Sequence, residues 1–290
     1  MIALLLSIVS ATVIFVVFKL FSIYKINTLH AIVVNYLVAC SCGLYFQESE
    51  VVITEIANNS WFIFAVGLGA LFITVFNLMA LTTQRSGLSV VSVATKMSVV
   101  IPVVFGLVYY EESLGILKFT GIILALLAVY LTSNKTANGL KIKPSNLIFP
   151  ILVFLGSGII DTSLKYLQGE YVARNDTPIF SATIFAAAAA LGIFLLIVHS
   201  IQGKFQFKFK NVLAGIALGI PNYFSVYFLV QALRSDIFES SGIFTVNNVA
   251  VVIFSTIVGI MFFKEKLRPQ NRIGIGLAVL GIILIALEKW

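Results

Sequence analysis

The sequence predicts an all-α integral membrane protein of ten transmembrane helices, arranged as two inverted five-helix repeats. Three observations carry this. Hydrophobic residues make up 60% of the chain and charged residues 11%, with a mean hydropathy of +1.05, whereas a soluble domain carries about 25% charge. The apolar residues fall into runs of roughly 18–22, the length that crosses a bilayer core at ~1.5 Å per residue. The stretch from Gly87 to Ser133 also returns in degenerate form 153 residues later. Glu112 aligns with Glu265, Leu114 with Leu267, Gly121 with Gly274, Leu124 with Leu277, Ala125 with Ala278 and Leu127 with Leu280. These identities keep register across the turn without a gap, which composition alone does not produce.

The spans follow in order. The first, Met1 to about Phe18, has no basic residue ahead of it and Lys19 and Lys25 behind it. A signal peptide has the reverse polarity, so this span is expected to be retained. The second runs from about Leu29 to Phe46, followed by an acidic loop, Gln47–Ser60. Trp61–Thr83, Leu88–Tyr110 and Gly115–Ser133 complete the first repeat, residues 1–133. A polar basic linker, residues 134–145, carries Lys135, Lys141, Lys143 and Pro144. The second repeat, 146–290, holds Asn146–Gln168, Pro178–His199, Asn211–Leu233, Gly242–Phe263 and Arg272–Leu287. Pro144, Pro150, Pro178 and Pro269 stand near span starts, where the first helical turn tolerates a missing N–H.

Charge sets the orientation. Loops and helix ends after the odd-numbered spans carry thirteen Lys and Arg, the opposite side five, and Lys96 is left inside the membrane. The basic side is therefore expected to be cytoplasmic, in a cell inner membrane, with both termini extracytoplasmic. Five is odd, so the second repeat enters the membrane from the other face, an inversion common among secondary transporters. The net charge of +7 belongs to loops facing an anionic membrane and is no argument for nucleic acid.

The pattern Glu112-Ser113-Leu114, Gly121, Leu124-Ala125, repeated as Glu265-Lys266-Leu267, Gly274, Leu277-Ala278 with Gly281, resembles the end of each EamA-type repeat of the drug/metabolite transporter superfamily. Phe18-Lys19-Leu20 and Leu164-Lys165-Tyr166 resemble the lysine that often closes the first helix of such a repeat. The resemblance implies ten helices around a central cavity lined by the first four of each half, with helices five and ten at the periphery. It also implies movement of amino acids, aromatic metabolites, nucleotide sugars or other small solutes, mostly outward in bacteria.

Ionisable groups deep in a membrane cost at least ~2.5–3.5 kcal/mol and each needs a reason. Lys96 lies eight residues into span four, with Ser92 on the same helix face and Thr95 adjacent. The matching region of span nine holds Thr245, Asn247 and Asn248. Two polar patches at equivalent repeat positions suggest facing walls of one aqueous cavity, with Lys96 binding an anionic group of a substrate. The structural alternative is that Lys96 snorkels or neutralises a carboxylate. Asp161 and Lys165, four apart in span six, share a face and are expected to serve either as a local ion pair or in coupling. Asn77, Asn222 and Tyr223 extend the expected wetted surface, though interhelical bonding explains any one asparagine. Lys19 is expected to snorkel, and Glu112 and Glu265 to cap helix N-termini. Pro221 and Pro102 are expected to kink spans eight and four.

The expected function is secondary transport, in the outward direction, of a small polar metabolite such as an amino acid, by alternating access. A lipid flippase or passive channel of the same fold is the alternative. No enzyme activity, cofactor or metal is expected, since His30 and His199 stand near helix ends and no paired-carboxylate motif occurs. The expected partners are a small-molecule substrate and membrane lipid, and a monomer is the expected state.

Overall fold

The computed structural model describes residues 1–46, 56–109, 115–133, 148–172, 176–203, 206–233 and 240–287. The basic linker, most of the acidic loop and Glu112 lie outside the described residues. Ten helical spans run through the rest: α1 (Ile2–Ile23), α2 (Thr28–Tyr45), α3 (Phe62–Ser86), α4 in two segments (Leu88–Met97 and Val100–Tyr109), α5 (Ile116–Ser133), α6 (Ile148–Glu170), α7 (Thr177–Ile201), α8 (Phe209–Leu233), α9 (Ser240–Met261) and α10 (Pro269–Leu287).

Each helix coincides with an apolar run, because a backbone without water must satisfy its own N–H and C=O groups. Six spans, α1–α4, α7 and α8, are long and apolar enough to cross a membrane, and α5, α6, α9 and α10 contribute shorter apolar stretches. The ends follow local chemistry. Asn27 caps α2 by accepting the His30 N–H at 3.2 Å, Pro178 sits in the first turn of α7, and Gly87 ends α3 at φ +105°. The largest shift from an expected boundary is in α1, which continues to Ile23 and so places Lys19 inside the helix. Pro221 lies within α8 without interrupting it.

Helices α1, α2, α3 and α7 meet around an aromatic centre. Phe18 and Phe76 pack edge to face at 5.7 Å, and Tyr36 contacts Phe76 at 5.5 Å and Phe185 at 6.1 Å. Around it, α2 lies between α7 and α8, α1 packs on α8 and α9, α3 on α7 and α6, and α4 on α6 and α9. Helices α5 and α10 pack on each other more extensively than any other pair. Small residues let them approach: Ala125 and Ala278 are fully buried, and a Cβ on Gly121 would stand 2.9 Å from the Gly281 carbonyl oxygen. Between helices in lipid, such close van der Waals packing is the main attraction.

Candidate functional site

The site is organised by a break in α4. Pro102 has no N–H, so the carbonyl of Ser98, four residues earlier, loses its helical donor. The Ile101 N–H donates to it instead at 2.9 Å, a tighter i→i+3 bond, while the Val103 N–H reaches the Val99 carbonyl at 3.2 Å. The helix therefore parts at Ser98–Val99, in the middle of the Leu88–Tyr109 span. Lys96 is in the last turn before the gap, where the negative end of the helix dipole favours a cation.

Asp161 projects from α6, ~20 Å along that helix at 1.5 Å per residue. Protein surrounds it, yet its side chain is exposed, so it borders open volume inside the bundle. Lys96 is half-buried. The two charges stand beyond ion-pair distance of each other. The one ion pair among the described residues is elsewhere. Ser98, two residues after Lys96, reaches toward Asp161: its Oγ is 2.6 Å from the Thr95 carbonyl and 3.5 Å from Asp161 Oδ2. A hydroxyl has a single proton, which goes to the nearer acceptor and leaves the carboxylate under-satisfied.

The break thus brings Thr95, Lys96, Ser98 and Asp161 together. Thr95 is half-buried, and its Oγ1 is buried without a partner. The other predicted residues are placed differently. Ser92 is fully buried and donates to the Ser89 carbonyl of its own helix at 3.0 Å. Asn222 is buried and donates to Asn35 Oδ1 at 3.1 Å, joining α8 to α2. Asn247 is buried with Oδ1 3.3 Å from Ser7 Oγ, whose proton goes to the nearer Ser225 carbonyl at 2.8 Å, so α9 and α8 both meet α1 here. Asn77 donates to the Ile73 carbonyl at 2.8 Å. Tyr223 stacks on Phe46 and Tyr227, both at 5.8 Å. Asn248 is half-buried on α9. The side chains of Thr245 and Lys165 lie outside the described residues. Ser98 is absent from the sequence expectations, although the proline four residues on is the signal that points to it.

A second polar centre occupies the basic end of the bundle. Glu265 does not cap its own helix, α10, which starts at Pro269. It reaches across to the N-terminus of α4, accepting the Leu88 N–H at 2.7 Å, the Ser89 N–H at 3.4 Å and the Ser89 hydroxyl at 3.2 Å. Lys19 Nζ stands 3.5 Å from the same carboxylate, so this lysine is paired and not snorkelling. The backbone aims the carboxylate: Lys264 turns in the left-handed region at φ 52°, and the Glu265 N–H donates back to the Gly259 carbonyl at 2.9 Å. Gly87 and Gly259 make the space, since a Cβ on either would stand within 2.9 Å of a Glu265 carboxylate oxygen. One carboxylate therefore ties α1, α4 and the α9–α10 connection together.

Residues 145–287 match the EamA-like transporter family. An uncharacterized protein of Haemophilus influenzae is 25% identical over 84% of this chain and 84% of its own length. A solved crystal structure aligns at a TM-score of 0.60 and 16% identity, covering 97% of this chain and 96% of that one; at that identity the likeness speaks for the fold alone. The match covers residues 145–287, a segment similar to the EamA-like transporter family, and with its all-helical, repeated apolar spans the chain is a multi-pass membrane protein.

Proposed function

We propose that the chain is a secondary transporter exporting a small polar metabolite across a bacterial inner membrane by alternating access. Its solute carries both an anionic and a cationic group, as an amino acid does. Lys96 binds the anion and Asp161 the cation. The observation that carries this reading is the pair itself: Lys96 in the last turn before the α4 break and Asp161 reached by Ser98 two residues on, opposite charges near one another but not in contact. An ionised group there costs several kcal/mol when left alone. A contact pair would offset that cost internally, whereas this spacing leaves both charges open to a third body. The location supports the same reading, because interrupted helices near the midplane are where secondary transporters hold polar ligands.

Helix pairing supports two inverted five-helix repeats. Adding five to each helix number turns α2–α8 into α7–α3, α1–α8 into α6–α3 and α1–α9 into α6–α4, while α2–α7 and α5–α10 map onto themselves; all these pairs are in contact.

The test is counterflow in proteoliposomes preloaded with an unlabelled amino acid mixture and supplied with labelled amino acids outside. Exchange is expected for the intact protein and lost in Lys96→Met and in Asp161→Asn. The double substitution should restore any lost thermal stability without restoring exchange. Full exchange by the double variant would make both residues structural and end this reading.

A further inference from the structure

Between the end of α9 and the start of α10 lies a pocket of about 470 Å³, unrelated to the mid-membrane charges. It is within the size range of small-molecule sites, roughly 300–1,000 Å³. Its rim carries Lys266 and Arg272, both exposed, and neither has an ion-pair partner among the described residues. Glu265 forms the back, but its charge is already answered by Lys19 and the α4 N-terminus. The wall is apolar, with Ile260, Leu267 and Ile275. Thr256 also lines it, a side chain 8% exposed whose Oγ1 has no hydrogen-bond partner. A buried unpaired hydroxyl is costly, and this one lines a pocket with two cations at its rim.

Ile260, in the pocket wall, continues an exposed apolar face of α9. Ile253, Ile257 and Ile260 recur at i, i+4 and i+7 on α9, and all three are exposed. They form an apolar track leading from the bilayer to the cationic rim. Thr256 is ~8 Å from the end of α9 at helical rise, the depth where headgroups meet acyl chains. We propose that this pocket binds an anionic phospholipid. Lys266 and Arg272 hold the phosphate, the Thr256 hydroxyl donates to a headgroup or ester oxygen, and one acyl chain lies along the isoleucine track. The amphiphilic build, a cationic rim above an apolar stripe, favours a lipid over a soluble anion. Basic pockets between transmembrane helices take headgroups in the same way.

Native mass spectrometry of the detergent-solubilised protein tests this with phosphatidylglycerol against phosphatidylcholine of identical chains. Retention of one phosphatidylglycerol, favoured by about tenfold or more, is expected from two cations contributing roughly 1 kcal/mol each. Lys266→Gln with Arg272→Gln should remove the preference; both side chains are exposed, so folding is not at stake. Thr256→Val, nearly isosteric, should weaken retention several-fold while leaving the melting temperature unchanged or higher. Equal retention of the two lipids would overturn the proposal. So would a preference that survives the double substitution, or displacement of the lipid by millimolar inorganic phosphate alone, which would identify a site for soluble anions.

Discussion

Replacing Glu265 by glutamine separates the two roles of its carboxylate. At the α4 N-terminus it accepts three donors, the Leu88 and Ser89 N–H groups and the Ser89 hydroxyl, and it also pairs with Lys19 at 3.5 Å. A hydrogen bond to a charged group contributes about 1.5–3 kcal/mol net, against about 1 for a neutral one. A negative charge at a partly buried helix N-terminus adds up to about 2. Glutamine keeps one acceptor oxygen and loses the charge, so Glu265→Gln should cost about 3 kcal/mol. Glu265→Ala should cost about 3–5, because it strands a buried positive end. Lys19→Met should cost less than about 1, since that lysine keeps access to water and the helix terminus still satisfies the carboxylate. At about 2–4 °C per kcal/mol for a chain of this size, Glu265→Gln should melt about 6–12 °C lower. The assay is thermal unfolding followed by a thiol-reactive dye, which the two half-buried free cysteines, Cys40 and Cys42, make possible. If Lys19→Met proves as damaging as Glu265→Ala, the ion pair dominates and the helix-terminus argument fails.

Three further outcomes are expected. Cysteine at Asp161, which borders open volume, should react with a small water-soluble thiol reagent, while cysteine at Ser92, fully buried, should not; the reverse order would misplace the cavity. Pro102→Ala returns an N–H to the Ser98 carbonyl, so it should close the α4 break, stabilise the fold by up to about 3 kcal/mol and slow transport, and an unchanged transport rate would deny the break a role. Reporters fused after Trp290 and inserted near Lys141 should label as extracytoplasmic and cytoplasmic, following the basic bias of the loops; the opposite labelling would reverse the orientation.

The helices were legible because hydropathy records depth directly, and every long apolar run became a span. The break in α4 was legible too, since Pro102 acts on its own chain four residues back. Faces were not. Ser92 and Lys96 share a helical stripe, but tertiary packing buries one and leaves the other half-open. Asn222 and Asn248 look alike in an apolar run, yet Asn222 is spent on Asn35. A polar residue in a membrane segment serves packing and wetting equally well, and only its neighbours distinguish the two. Glu265 was placed near a helix terminus by its sequence neighbourhood, but the terminus it serves is 177 residues away, beyond any local pattern.

The position of that carboxylate has a mechanical consequence for α4. The first segment, Leu88–Met97, is pinned at one end by Glu265 and released at the other by the Pro102 break. It is therefore a short lever, fastened to the α9–α10 connection and hinged beside Lys96. A displacement of that connection would travel down ten residues of rigid helix and arrive at the ammonium group, while the second segment stayed in place. Conversely, a solute drawing Lys96 toward Asp161 would pull on the Leu88 and Ser89 amides that the carboxylate holds. On the proposed function, load at the mid-membrane charges and closure of the basic end would be two ends of one rod.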